Sequence, residues 1–272
     1  MKKVALITGA SSGMGKATAN VLHSQGYTVY GAARRTDEMN DLKEKGMGVV
    51  SLDLTTEASI IEAVNTILEK EGRIDILVNN AGYGSYGAVE DVPLDEARRQ
   101  FEVNLFGMAR LTQLILPGMR EQKSGRIVNI SSIGGKIYTP LGAWYHATKH
   151  ALEGWSDCLR LELKEFGIDV VIVEPGGIKT PWGEIAAANL KKTSSHGAYA
   201  SFANKVAENM IDVYTGSRLT DADALGQTIA YAATVKKPKT RYAKGYMAGL
   251  IIGMRKWLSD KTFDKVIMSQ FK

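Results

Sequence analysis

Six short apolar, largely β-branched runs alternate with longer amphipathic segments through the first two thirds of this chain, and that alternation leaves few folds open. The runs are KVALIT (3–8), YTVYGAA (27–33), VVSLDL (49–54), IDILVNN (74–80), GRIVNIS (125–131) and IDVVIVE (168–174). They are continuously apolar rather than alternating, as strands buried on both faces are. Helical periodicity between them predicts helices over 14–25, 37–45, 57–70, 94–123 and 144–166. Strand–helix alternation at this spacing predicts an α/β fold, a doubly wound (Rossmann) parallel sheet flanked by helices on both faces, with right-handed crossovers. After Pro175 the pattern changes. Residues 181–215 read as an irregular, partly helical excursion, 221–235 as a helix and RYA (241–243) as a last short strand. Residues 247–271 read as a basic, apolar, mainly helical tail. No linker, low-complexity tract or repeat interrupts the chain, so a single domain over 1–272 with a C-terminal helical elaboration is expected.

The first strand runs into Thr8-Gly9-Ala10-Ser11-Ser12-Gly13-Met14-Gly15 and then into a helix. Gly9 permits a tight turn, and Gly13 and Gly15 let backbone approach a pyrophosphate and the helix pack close to the sheet. The helix N-terminus adds free N–H groups and the positive end of its dipole. The turn therefore points to a dinucleotide. Which dinucleotide is decided at the end of the second strand, where an acid would bind ribose hydroxyls and arginine would grip a 2′-phosphate. Here Ala33 is followed by Arg34 and Arg35, with no acid before Asp37. NADP(H) is the preferred cofactor, and NAD(H) is not forbidden.

Composition closes several other classes. Lysine and arginine exceed aspartate and glutamate by 34 to 29, but the basic residues are dispersed rather than striped, which argues against nucleic acid. Cys158 is the only cysteine, so no internal disulfide demands an oxidising compartment. No apolar run is long enough to span a bilayer, the start lacks a cleavage pattern, and a cytoplasmic location is expected. The histidines lack metal-ligand spacing, and no metal site is expected.

Four further features fall in order along the chain. Asn80-Ala81-Gly82 follow the fourth strand, Asn104 lies within the fourth helical segment, Ser132 ends the fifth strand, and Tyr145 and Lys149 are spaced Tyr-x-x-x-Lys at the start of the next helix. Residues four apart share a helical face, so Lys149 is expected beneath the Tyr145 phenol. A neighbouring cation would lower the phenol from its ordinary value near 10 and let it act as an acid or base. Together with the TGxxxGxG turn, these motifs resemble the short-chain dehydrogenase/reductase family over roughly residues 3–180. The whole chain looks most like its 17β-hydroxysteroid dehydrogenase-like branch.

The resemblance implies a hydride transfer between a nicotinamide cofactor and a carbonyl or secondary alcohol. It implies Tyr145 as acid/base, Ser132 (chosen over Ser131 by family spacing) on the substrate oxygen, Lys149 on the nicotinamide ribose, and Asn104 binding a water in a proton relay. Asp53 and Leu54 would lie at the adenine, and Pro175, Gly176, Ile178 and Thr180 at the nicotinamide. The branch implies a bulky hydrophobic substrate, steroid-, retinoid- or acyl-lipid-like. The lid over about 181–215 supplies Trp182, Ile185, Leu190, Tyr199 and Phe202, with Trp144 beside the tyrosine. The tail over about 240–272 is expected by default to pack as ordinary structure, with covering the site, forming an interface or touching a membrane as the alternatives. A homodimer or homotetramer is implied as well. His146 and His150 lie about a hundred degrees around the helix from Tyr145 and Lys149 respectively and are expected to be structural. The rival reading is a dinucleotide-binding redox sensor without turnover; it needs the glycine turn but not Tyr145 and Lys149 together.

Overall fold

The computed structural model describes residues 2–271. Seven strands form one parallel sheet in the order β3-β2-β1-β4-β5-β6-β9: β1 Val4–Thr8, β2 Thr28–Ala33, β3 Gly48–Ser51, β4 Ile76–Asn79, β5 Gly125–Ile130, β6 Ile168–Pro175 and β9 Arg241–Lys244. β7 (Ile178–Lys179) and β8 (Thr220–Asp221) make a separate two-stranded pair. All five residues of β1 and all four of β4 are buried, which is why their sequences are apolar without alternation.

Helices cover both faces. On one face lie α3 (Glu57–Glu71), α5 (Gly107–Glu121) and α6 (Ala143–Glu162), whose Ile60, Val64, Ile67, Leu111, Ile115 and Leu159 join one core with Leu6, Leu77 and Ile127. On the other lie α1 (Gly13–Ser24), α2 (Asn40–Glu44) and α9 (Ala222–Thr234), whose Leu22, Leu42, Leu225 and Ile229 pack with Ile7, Val78 and Val173. The strand order reverses between β1 and β4, since β2 and β3 lie to one side of β1 and β5, β6 and β9 beyond β4. Ligands of such sheets bind in the crevice outside the carboxyl ends of the strands at this switch point.

Three regions differ from the sequence reading. The helix expected over 94–123 is two, α4 (Leu94–Phe101) and α5, joined by a π-helical turn at Glu102–Phe106. That turn carries Asn104 inward to the backbone of Tyr83, and such bulges accompany functional positions. The excursion expected over 181–215 is regular: α7 (Trp182–Ser194) and α8 (Ala200–Thr215) pack through Ala186, Ala187, Leu190, Ala203, Val206 and Ala207. A seam made largely of alanine gives a weak hydrophobic signal, although alanine is the best helix former. The tail breaks at Leu258–Ser259 into α10 (Ala248–Trp257) and α11 (Asp260–Ser269). Its Phe263 and Ile267 bury against Ile137 in the loop after β5. Among the described residues, no helix is long and apolar enough to cross a membrane.

Candidate active site

At Gly9 and Gly15 the turn after β1 has no room for a side chain. Gly9 has φ +66°, and a Cβ there would lie 2.8 Å from Asn80 Nδ2. One on Gly15 would lie 2.4 Å from the Gly9 carbonyl oxygen. Asn80 braces the turn by donating from Nδ2 to the carbonyls of Thr8 and Gly9 at 2.9 and 3.2 Å. The backbone N–H groups of Asn80 and Ala81 donate to Thr8 Oγ1 at 3.0 and 2.9 Å. Thr8, to which the sequence reading gave no role, thus locks the two halves of the switch point together.

Ser12 precedes α1 in an extended conformation, and its side chain makes no capping bond. The first N–H groups of α1 are therefore not capped by a side chain, the donor set an anion needs. A bare turn, a helix N-terminus and an arginine at the end of β2 fit a phosphorylated dinucleotide. Ser11 is half-buried, and Met14 packs against the core under the sheet. Thr180 reaches the same turn, because a Cβ on Gly13 would lie 3.2 Å from its methyl. Pro175 ends β6, the Gly176 N–H donates to Lys244, and Ile178 is buried in β7.

At the adenosine end, the two arginines separate. Arg35 pairs with Glu38 at 3.0 Å, whereas Arg34 is exposed and makes no ion pair among the described residues. Asp53 accepts from the N–H and hydroxyl of Thr55 at 2.9 and 2.8 Å. Burial opposes its ionisation, but those bonds and the charges of Arg34 and Arg99 hold its carboxyl below the ordinary range. Leu54 points into the core, and its carbonyl abuts Gly107.

The four residues named for chemistry do converge. Tyr145 and Lys149 are each 7% exposed, one turn apart on α6. Ser132 follows β5, accepts from the Gly134 N–H at 3.0 Å, and hydrogen-bonds the Tyr145 phenol. A Cβ on Gly82 would lie 3.1 Å from Asn104 Oδ1 and 3.8 Å from Lys149 Nζ.

One expectation needs correction. Lys149 does not lower the phenol: burial pushes Tyr145 up to about 12, opposed by the hydrogen bond to Ser132. Lys149 itself is pulled down to about 8 by burial, opposed by Glu153, and its ammonium donates to the Ile130 carbonyl at 2.9 Å. Desolvation is the largest cause of both shifts. The side chain of Asn104 anchors the π turn to its surroundings. Its Nδ2 donates to the Tyr83 carbonyl and Thr148 Oγ1 at 2.9 and 3.1 Å, and its Oδ1 accepts from the Tyr83 N–H at 3.1 Å.

An aromatic wall surrounds Tyr145. Its ring centroid lies 5.2 Å from Trp182 and 5.7 Å from Tyr86, and Trp182 lies 5.8 Å from Tyr214. Trp182 was expected here; Tyr86 and Tyr214 were not, because nothing along the chain pairs them with Tyr145. Of the other lid candidates, Leu190 is core, Ile185 is exposed, and Phe202 packs on Phe271 of the tail at 6.1 Å. Tyr199 hydrogen-bonds Glu90 instead. Trp144 is half-buried with an unpartnered Nε1. His146 is structural as expected: Nε2 accepts from the Thr139 N–H at 3.0 Å, so Nδ1 donates to the Gly134 carbonyl at 2.9 Å. Its burial lowers its pKa. The described residues include no cluster fit to hold a metal ion.

Strand order, bare glycine turn and the Ser132–Tyr145–Lys149 convergence define a dinucleotide-dependent oxidoreductase of the doubly wound class. The sequence model of the short chain dehydrogenase family matches residues 3–190, and the chain belongs to the short-chain dehydrogenase/reductase family, whose enzymes act on CH–OH and C=O groups. It is similar to a probable short-chain type dehydrogenase/reductase VdlC of Helicobacter pylori, at 35% identity over 97% of this chain and 96% of that protein. A 3-ketodihydrosphingosine reductase of Bacteroides thetaiotaomicron is 43% identical over 65% of each chain. An NADPH-dependent 3-dehydrocapnine reductase of Ornithobacterium rhinotracheale is 30% identical over 99% of this chain and 98% of that protein. Among solved structures, a short-chain dehydrogenase from Streptomyces avermitilis superposes with TM-score 0.79 at 36% identity, over 99% of this chain and 98% of that one.

Proposed function

We propose that this protein is an NADPH-dependent reductase of a ketone carried on a long hydrophobic chain. The observation that carries the reading is the Tyr145 phenol, hydrogen-bonded to Ser132 at the foot of an aromatic wall of Tyr86, Trp182 and Tyr214. Such a wall excludes water and offers an apolar substrate a large contact area. The names of two relatives, a 3-ketodihydrosphingosine reductase and a 3-dehydrocapnine reductase, support an acyl-lipid ketone over a steroid or retinoid.

NADPH, when bound, would supply the hydride, which the carbonyl carbon of the ketone accepts. The turn containing Gly9, Ser11, Ser12, Gly13, Met14 and Gly15 would hold its pyrophosphate against α1, with Asp53 and Leu54 at the adenine. Asn80, Ala81 and Gly82 would line its middle, and Pro175, Gly176, Ile178 and Thr180 the nicotinamide. Arg34, unlike Arg35, has no carboxylate partner among the described residues and is the group for the 2′-phosphate. Tyr145 keeps its proton up to about pH 12, so it stands as the acid that protonates the carbonyl oxygen as charge develops there. Ser132 Oγ hydrogen-bonds the same oxygen. Lys149, cationic below about pH 8, places positive charge beside the phenol at the moment it gives up its proton. Asn104 holds the Tyr83 loop against α6.

The test is loss of NADPH absorbance with 3-ketodihydrosphingosine, a steroid ketone, a retinal and a small polar ketone. Turnover of the long-chain ketone well above the others is expected. Efficient reduction of the small polar ketone alone would remove the substrate assignment, and tight NADPH binding with no turnover would favour the sensor. Arg34→Glu addresses the cofactor. A charge-assisted hydrogen bond contributes about 1.5–3 kcal/mol, so NADPH should bind about 10–100-fold more weakly while NADH changes little. An equal loss for both would take Arg34 out of the 2′-phosphate site.

A further inference from the structure

Behind the Lys149 end of the site lies a buried set of charges with no part in the mechanism above. Glu153 stands one turn beyond Lys149 on α6, and Glu174 stands immediately before Pro175 at the end of β6; each is 4% exposed. Two cations reach them from the surface. Lys136 Nζ lies 2.7 Å from Glu153 Oε2 and 3.8 Å from Glu174 Oε1. Arg241, on β9, lies 3.0 Å from Glu153 and 3.4 Å from Glu174, and also pairs with Asp157 at 2.6 Å.

Oε1 of Glu153 and Oγ of Ser131 are both buried without a hydrogen-bond partner. Gly135 brings them together, since a Cβ there would lie 2.7 Å from Ser131 Oγ and 2.9 Å from Glu153 Cγ. The cluster thus ties the elements that carry the site: Lys136 follows Ser132 by four residues, Glu153 follows Lys149 by four, and Glu174 opens the Pro175 loop.

A buried ion pair is a weak source of stability, because desolvation offsets most of the attraction. Its field on a neighbouring group is another matter, for low dielectric strengthens that field. The charged and titratable groups around Lys149 and Glu153 are Tyr145, His146 and Asp157 on α6, Lys136 from the loop after β5, Glu174 from β6 and Arg241 from β9. Of these, Glu153 is the group whose charge favours the Lys149 ammonium against burial. Burial and then Glu153 raise Glu174 above its ordinary range, with Lys136 and Arg241 opposing.

We propose that Glu153, its charge partly offset by Lys136 and Arg241, is a positioning residue that keeps Lys149 charged in its dry site, so that this cluster sets the pH range in which the enzyme works. The proposal rests on the role given to Lys149 above, and its test reads Lys149 directly. The side-chain carbon resonances of lysine-labelled full-length protein are followed against pH without cofactor or substrate, with Lys149→Met identifying the signal. Glu153→Gln should lower the Lys149 midpoint by about one pH unit, about a tenfold loss of ammonium at fixed pH above it. Lys136→Gln, which strips a cation from Glu153, should raise it, and Glu153→Asp should restore most of the wild-type value. Where a ketone is turned over, the alkaline limb of kcat/KM should move in the same directions. A Lys149 midpoint unmoved by both glutamine variants would overturn the proposal; if Glu153→Gln does not fold, Lys136→Gln alone decides it by the same reading. Absence of turnover with every ketone would count against the reductase reading and leave the titration standing.

Discussion

Tyr145→Phe is expected to lower kcat/KM for ketone reduction by about 10²–10⁴-fold, the usual contribution of a positioned general acid, equivalent to about 3–5 kcal/mol of transition-state stabilisation. The phenyl ring keeps the contacts with Tyr86 and Trp182, so NADPH affinity and melting temperature should change little. The loss should also depend on pH in a stated way. Below about pH 8 the wild-type site holds Lys149 as ammonium and Tyr145 as neutral phenol, and above it Lys149 loses its proton while Tyr145 keeps its own. Reduction by wild type should therefore be flat below pH 8 and decline above it, whereas the residual activity of the variant should show a weaker dependence. Steady-state rates from pH 6 to 10 check both points. A variant within threefold of wild type would remove Tyr145 from the proton transfer.

Gly15→Ala should damage cofactor binding and the fold together. The new methyl would meet the Gly9 carbonyl oxygen at 2.4 Å and Asn80 Nδ2 at 2.5 Å, and neither neighbour is free to retreat. The Gly9 carbonyl accepts from Asn80, and Asn80 also holds Thr8. Overpacking of this kind costs about 1–3 kcal/mol, a fall in melting temperature of about 2–12 °C for a chain of this size. Displacing the turn also misaligns the N–H donors at the start of α1, and losing one hydrogen bond to a charged phosphate weakens binding about 10–100-fold. Thermal melts with and without NADPH separate the two effects, because bound ligand at free concentration c raises stability by RT ln(1 + c/Kd) and so reports its affinity. Wild-type melting and wild-type stabilisation by NADPH would contradict the close approach of turn and helix.

Much of this was legible along the chain because it depends on neighbours in sequence. The apolar runs marked six of the seven strands of the main sheet within a few residues, RYA (241–243) marked the seventh, and the strand–turn–helix context singled out Gly9, Gly13 and Gly15. Helical periodicity put Tyr145 and Lys149 on one face of α6, where both are buried. Other features had weak local signals. The α7–α8 hairpin buries mostly alanine, and the π turn at Glu102–Phe106 is drawn inward by Tyr83 and Thr148, residues about 20 and 40 positions away. Nothing in the sequence joined Tyr86 and Tyr214 to Trp182, or Lys136 and Arg241 to Glu153.

The sequence by itself determined the order of elements, the bare phosphate turn and the residue types available for proton transfer, since periodicity and turn chemistry are local properties. Tertiary structure decided their electrostatics. A Tyr-x-x-x-Lys pair on an open helix would have a lowered phenol, as spacing alone suggests; here burial raises Tyr145 and depresses Lys149. The cost of removing charge from water depends on every layer packed above the site, and those layers come from α7, α8 and the segments around Tyr86 and Glu153, far from α6 along the chain or on its inner face.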